Sequence, residues 1–338
     1  MQGNEKVICQ LLDSRHTGGI ESHVVELSRG LKQAGWQVIV VFMNNYGHHP
    51  MKDKLQAQQI PFSSLDGTAK TLNKYISKMR PQLIHTHGYK AGILGRLVGL
   101  FNSIRVVSTF HAGEDTKGKM AFYTSLDRLT AFLSHPIAVS EKILAKLPKK
   151  AVHVNNFVSL PLVRTTRKGN VVAFVGRLSE EKGPDLFCEL ARNNPQLTFH
   201  MYGDGPMREA LQQTYEKDVT FFGHVDISTY WQQIDLLCMP SRFEGLPMAA
   251  LEAMAHGIPV LASDAGDLPK LIRNSKQGWI ASIDQLSSFS MRLDEWASMN
   301  QEKKEIMGHT ARSKIETEYS CQAIIPQIEK IYFSTIGG

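Results

Sequence analysis

Glu244 and Glu252 stand eight residues apart, and the proline between them decides what that spacing means. Pro247 has no amide hydrogen and a fixed φ, so it suits the first position of a helix. Met248 to His256 then reads as a strong helix that Gly257 stops. Glu244 is therefore expected in the loop before the helix, and Glu252 more than one turn inside it. Between them, the amides of Gly245 and Leu246 and the positive helix end suit a phosphate. One acid can grip hydroxyls on one side of a diphosphate while the other grips hydroxyls on the opposite side. A nucleotide sugar has that shape.

A second constellation lies upstream. The apolar run Val171–Val175 reads as a buried parallel strand and ends in Gly176-Arg177-Leu178-Ser179-Glu180-Glu181-Lys182-Gly183. Arg177 and Lys182 fall at its carboxyl end, where open α/β sheets bind ligands. A guanidinium fork and an ammonium can neutralise a diphosphate without a metal. Alone, a cation after a strand is usually a solvated loop charge; its pairing with the glutamate motif favours the ligand.

Three further features are less specific. Thr17-Gly18-Gly19 opens a helix that runs through Leu31, and paired glycines let backbone approach a ligand, although such pairs are more often tight turns. Gly203-Asp204-Gly205 follows the strand ending at Tyr202, but Arg208 stands where a dinucleotide fingerprint needs its third glycine. A strand-to-helix turn with Pro206 at the helix start is the preferred reading there, with a ligand nearby. His85 and His87 end a strand like a metal pair, yet no third ligand follows at usable spacing, so no metal site is expected.

The elements that must position these residues alternate strand and helix throughout, which argues for βαβ units and parallel sheets. Strands are expected near 6–12, 37–42, 82–85, 104–109, 135–139 and 151–154, then 171–176, 197–202, 219–222, 235–239, 258–262 and 278–281. The polar, non-periodic run 159–170 reads as a linker. The fold class is thus α/β, with two doubly wound, Rossmann-like parallel-sheet domains facing each other across a cleft. They span 1–160 and 171–320, followed by a closing helix within 321–338.

Gly176-Arg177…Lys182-Gly183, Tyr202-Gly203-Asp204-Gly205-Pro206, Phe222-Gly223-His224 and Glu244-x7-Glu252 resemble the GT-B glycosyltransferases of family 4, the retaining "glycosyl transferases group 1". The resemblance covers nearly the whole chain and is most specific from about Val171 to Val260. It implies an acceptor-binding first domain, a nucleotide-sugar-binding second domain, and a final helix crossing back to the first. It also implies transfer of a hexose-type sugar from a nucleotide diphosphate sugar, a UDP-sugar first among them. The acceptor is then a lipid-linked or glycan hydroxyl in cell-surface polysaccharide or lipopolysaccharide synthesis. Arg177 and Lys182 would stabilise the leaving diphosphate, Glu244 hold the donor sugar, Glu252 the ribose, and the Gly245 and Leu246 amides the phosphate. Gly18 and Gly19 would lie beside the diphosphate and acceptor, Gly203 near the ligand, and His111 on the donor sugar. His224 and Val225 would present backbone to the base. Attack would come from the front face, with the departing phosphate taking the acceptor proton. No cofactor is implied, and the chain has no Asp-x-Asp to clamp a metal. One departure is Asn155-Asn156, where such families usually carry Asn-Gly.

Three rival functions carry their own tests. A GT-B nucleotide-sugar epimerase would turn over donor without acceptor, a dehydrogenase would bind NAD, and a non-catalytic basic binding module would need none of these motifs.

Composition sets the frame. The 338 residues are 42% hydrophobic and 21% charged, as in a globular protein, and no apolar run approaches the ~18 residues that span a bilayer. The amino terminus leads straight into a strand without a secretory signal, and Cys9, Cys188, Cys238 and Cys321 form no CxxC pair, so a cytoplasmic chain with core thiols is expected. Residues 1–160 hold 20 Lys+Arg against 10 Asp+Glu, or +10; the rest hold 18 against 22, or −4, restoring the total of +6. A basic first half suits an anionic partner. No nucleic-acid-binding motif is present, whereas basic and apolar residues interleave at Lys90–Phe101 and Lys142–Lys150. These predict peripheral attachment to the inner face of an anionic membrane, with Ile93, Leu94, Ile143 and Leu144 inserted. The alternative for the first segment is an ordinary packed crossover helix.

Overall fold

The computed structural model describes residues 7–15, 18–111, 119–162, 169–273 and 275–337, with backbone only for Lys119 and Met120. The chain divides into two compact units, Met1–Phe157 with Cys321–Gly338, and Val158–Ser320.

In the first unit the described strands are β1 (Val7–Leu12), β2 (Gln37–Phe42), β3 (Phe62–Ser64), β4 (Leu83–His87), β5 (Arg105–Phe110), β6 (His135–Ala138) and β7 (Val152–His153). They form a sheet in the order β3-β2-β1-β4-β5-β6-β7, with every neighbouring pair parallel. The second unit holds β8 (Val171–Val175), β9 (Thr198–Tyr202), β10 (Thr220–Gly223), β11 (Leu236–Met239), β12 (Val260–Ser263) and β13 (Gly278–Ala281). Their order is β10-β9-β8-β11-β12-β13, again parallel. Each order runs outward from the first strand and then reverses, which places a topological switch point between β1 and β4, and another between β8 and β11.

Both sheets are covered on two faces, and the strands show why they read as continuous apolar runs. In β8, Val172 and Phe174 enter one core with Phe187, Phe199 and Phe289, while Ala173 between them enters the opposite core with Leu251 and Met254. In β1, Ile8 packs with the final helix and Cys9 with the opposite layer. All four cysteines are buried and form no disulfide, and burial pushes the Cys9 thiol up to about 12.

The final helix, Cys321–Gly337, belongs to the first unit, where Ile324, Ile325, Ile328 and Tyr332 are buried. It lies so close to the helix Gly19–Gln33 that a Cβ on Gly30 would come within 2.6 Å of the Ile325 side chain.

Two expectations need correction. β3 was not foreseen, because three half-buried residues, Phe62-Ser63-Ser64, carry too little alternation to read as a strand. The helix Tyr89–Asn102 is a packed crossover from β4 to β5, and Arg96 is fully buried in an ion pair with Asp127 rather than facing outward. Ile143 is core, and Leu94 and Leu144 pack against cores, so they are not free for insertion. The most exposed large apolar residues among those described in this unit are Leu100 and Phe101 at that helix end, then Phe122, Leu129 and Phe132.

Candidate functional site

In the second unit, loops at the carboxyl ends of β8, β9, β11 and β12 are tied together by backbone hydrogen bonds. Leu178 donates to the Asp204 carbonyl at 3.0 Å, and Met207 donates to that of Leu178 at 3.0 Å. Arg242 and Phe243 both donate to the Glu181 carbonyl, at 2.9 and 3.1 Å, and Asp267 donates to that of Gly245 at 2.9 Å. Such approach demands glycine at several points, of which two are the most severe. Gly203 has φ +137, and a Cβ there would lie 1.8 Å from the Gly176 carbonyl oxygen; Gly183 has φ +68, and its Cβ would lie 2.1 Å from that of Pro240. Gly203 thus serves the join between two loops, and the helix after it begins at Arg208, two residues beyond Pro206.

This knot brings Lys182 and Glu244 together. Lys182 Nζ lies 2.7 Å from Glu244 Oε2, with the glutamate side chain 3% exposed and the lysine 30%. Ser241 donates its hydroxyl to Glu244 Oε1 at 2.9 Å, and Ser263 donates to the Ser241 carbonyl at 2.6 Å. Arg242 makes a bidentate pair with Asp185, at 2.9 and 2.6 Å, and so clamps the glutamate loop to the helix Pro184–Asn193. Burial works against the Asp185 charge, but the Arg242 hydrogen bonds outweigh it and hold the carboxyl below its usual range. Ser241 and Arg242 lay inside the glutamate motif, yet their roles depend on partners about sixty residues upstream or twenty downstream. Sequence reasoning passed over both.

Arg177 is exposed beside this pair of loops. Glu252 is half-buried in the helix Met248–Ala255. Pro247 precedes that helix as its cap, with φ −74 and ψ 131, rather than occupying the first turn; the proline ring fixes φ alone, and here ψ stays extended. Leu246 is buried in the core, whereas a Cβ on Gly245 would meet nothing within 4 Å, so that backbone is open. His224 is exposed and Val225 half-buried after β10, next to Phe222, which stacks on Tyr202 with 4.5 Å between ring centroids. Arg177, Lys182, Glu244, Gly245 and Glu252 thus flank the β8/β11 switch point, where open α/β sheets hold ligands.

The remaining predicted residues lie in the first unit. Gly18 caps the helix Gly19–Gln33 in extended conformation and, like Gly19, is exposed; Thr17 lies outside the described residues. His111 is half-buried just after β5, while Ala112 and Gly113 lie outside the described residues. It meets two other imidazoles. His87 Nδ1 lies 3.2 Å from His111 Nε2, and the His23 ring stands edge-on to His111 with centroids 4.8 Å apart. His87 Nε2 lies 2.7 Å from Gln10 Oε1, so that nitrogen donates and Nδ1 is left to accept. His85 is engaged elsewhere, by Tyr332 Oη at 2.5 Å and Thr109 Oγ1 at 2.7 Å. The cluster that forms is therefore His23, His87 and His111, from a helix and two strand ends, and not the neighbouring pair His85/His87. Burial lowers all four imidazole pKa values, His23 to about 4.

Comparison with known proteins agrees with this architecture. Residues 17–171 match the family model "Glycosyltransferase Family 4", and residues 163–314 match "Glycosyl transferases group 1". The chain is 26% identical, over 309 residues and 79% of each chain, to UDP-Gal:alpha-D-GlcNAc-diphosphoundecaprenol alpha-1,3-galactosyltransferase of Escherichia coli. It is 33% identical over 137 residues, 40% of each chain, to the O-antigen biosynthesis glycosyltransferase WbnH of Escherichia coli. Among solved structures, HepE of Anabaena in complex with UDP-glucose superposes with a TM-score of 0.85 at 18% identity, covering 97% of this chain and 99% of that one. The fold is that of GT-B glycosyltransferases. The chain belongs to the group 1, family 4 glycosyltransferases.

Proposed function

We propose that this glycosyltransferase moves a hexose-type sugar from a UDP-sugar to a lipid-linked acceptor in cell-surface polysaccharide or lipopolysaccharide synthesis, with retention of configuration and without a metal. The observation that carries the donor assignment is the Lys182–Glu244 pair at the β8/β11 switch point, with the Arg177 guanidinium exposed beside it. The ion pair pins both side chains before the ligand arrives. As the bond from the anomeric carbon to the diphosphate oxygen breaks, negative charge grows on that phosphate, and Arg177 and Lys182 stabilise it. Glu244 then accepts hydrogen bonds from sugar hydroxyls, Glu252 from the ribose, and the open Gly245 backbone meets phosphate. His224 and Val225 offer backbone to the base, and Gly203 holds their loop in place. In the first unit, His111 contacts the donor sugar and the Gly18-Gly19 helix start serves the acceptor or diphosphate. The acceptor hydroxyl attacks the face the diphosphate leaves and passes its proton to the departing phosphate oxygen.

Support for the donor comes from the galactosyltransferase relative, which uses UDP-Gal, and from the UDP-glucose complex of a protein with this fold. The same relative acts on a diphosphoundecaprenol acceptor, which supports a lipid-linked one here. Thermal shift against UDP-, GDP- and ADP-sugars tests the base, and the anomeric coupling in the NMR spectrum of the product tests retention. Stabilisation by GDP- or ADP-sugars alone, or a product of inverted configuration, overturns the respective assignment. Donor conversion without acceptor would favour an epimerase. Sugar transfer within about twofold after excess EDTA is expected, and a loss restored by Mg²⁺ or Mn²⁺ would remove metal independence.

Membrane attachment through the first unit is part of the proposal, on corrected residues. No helix among the described residues is long and apolar enough to cross a bilayer. Phe101 is 81% exposed, Leu129 70%, Phe122 67% and Phe132 61%, in a unit whose sequence is strongly basic. Exposed aromatic and leucine side chains amid lysines suit the interface of an anionic leaflet.

A further inference from the structure

We infer that His23, His87 and His111 form a binding site for a Zn²⁺-class divalent cation in the first unit. Each residue offers one ring nitrogen, and these nitrogens all lie within 4.8 Å of one another. Tetrahedral zinc with ~2.0–2.1 Å bonds to nitrogen spaces its ligands roughly 3.3 Å apart, so closing the site asks for a shift of at most about 1.5 Å. The His87–His111 contact at 3.2 Å already has that spacing.

Two further observations point to a ligand. His23 is 3% exposed, and neither ring nitrogen has a partner at good hydrogen-bonding geometry, the nearby Asn156 side chain being the one polar group that favours its charged form. Asn156 can serve at most one of them, and a buried imidazole nitrogen left without a partner is costly unless something occupies it. His87 is braced through its far nitrogen by the Gln10 carboxamide at 2.7 Å, the arrangement that orients imidazole ligands and sets their tautomer. Imidazoles suit Zn²⁺, Cu²⁺, Ni²⁺ and Co²⁺ rather than Mg²⁺, which prefers oxygen. His111 is the half-buried member of the three. The site shares His111 with the donor-sugar contact proposed above, so a bound cation and a sugar hydroxyl compete for that ring, whereas His23 and His87 have no part in the proposed transfer step.

The test uses the full chain stripped with EDTA and Co²⁺ as the spectroscopic probe. One equivalent should produce the intense visible absorption of four-coordinate Co²⁺, which Zn²⁺ abolishes, and saturating Zn²⁺ should raise the melting temperature. His111→Asn and His23→Gln should each weaken binding at least tenfold, whereas His309→Gln, an exposed position, should not. Because His111 is half-exposed, its variant is expected to fold, and an unchanged melting curve without metal confirms that. Only the weak spectrum of hydrated Co²⁺, or a band unchanged in His111→Asn, would overturn the site and leave three packed neutral imidazoles.

Discussion

The two units share a strand order around their central strands and place their candidate residues at equivalent switch points, yet they furnish those points with opposite chemistry. Beside β8 and β11 stand a preformed ion pair, an exposed arginine and glycines at which any Cβ would press on a carbonyl oxygen. Beside β1 and β4 stand buried neutral imidazoles and a glycine pair with ordinary backbone at Gly18. Fixed charge suits a leaving diphosphate, since it needs no reorganisation when negative charge develops. Buried neutral imidazoles instead suit hydroxyls or a zinc-like cation. The doubly wound sheet supplies a place for chemistry and leaves its sign to the loops.

The largest effect expected from breaking this contrast is kinetic. Arg177→Ala and Lys182→Ala should each cost ~2.7–4 kcal/mol of transition-state stabilisation, or roughly 10²–10³ in kcat. They should differ in stability. Arg177 is exposed, so its loss leaves the melting temperature unchanged, whereas Lys182→Ala strands a Glu244 carboxylate that is 3% exposed and lowers it. Near-native turnover in either folded variant would remove that cation from the mechanism.

The glycines sharpen the comparison next. Gly203→Ala combines a backbone conformation hostile to L-residues with a Cβ 1.8 Å from a carbonyl oxygen, and should cost ~1–3 kcal/mol or more in urea denaturation. Gly18→Ala has extended backbone and meets only the Glu21 carboxylate end at 3.2 Å, so it should stay within about 0.5 kcal/mol. Equal costs would mean that the two glycine loops are built alike.

Acid should separate the units as well. His23 has its pKa lowered from 6.5 to about 4 in the folded chain, so the unfolded chain binds more protons in that window. Its contribution is intact above pH 6.5 and is lost as pH falls toward 4, at a slope of about 1.4 kcal/mol per pH unit. In His23→Phe the stability lost between pH 7 and 5 should shrink accordingly; an unchanged slope would show that this ring titrates freely.

The smallest effect concerns the membrane. Phe101→Ser and Phe132→Ser should each weaken sedimentation with anionic vesicles by about 1 kcal/mol, roughly fivefold, without lowering the melting temperature. Ile143→Ala should do the reverse, because that side chain is core. Equal pelleting on neutral vesicles, or none on anionic vesicles at low salt, defeats the attachment.

By itself the sequence determined the alternation of strand and helix, and with it the two parallel sheets, because strands buried on both faces must be continuous apolar runs. It also marked Arg177, Lys182, Glu244 and Glu252, since each sits within a few residues of a strand end or helix start that local chemistry defines. Tertiary structure alone decided which partners those residues meet. Lys182 reaches Glu244 across 62 positions, Arg242 clamps Asp185 across 57, and His23 and His111 converge on His87 from separate elements. It also decided which apolar residues of the basic first half are core and which are bare, reversing the expectation for Ile143 and exposing Phe101. Spacing along a chain fixes neighbours only over a turn or a strand. Contacts between loops arise from how the helices lie on the sheet, and no local pattern records that.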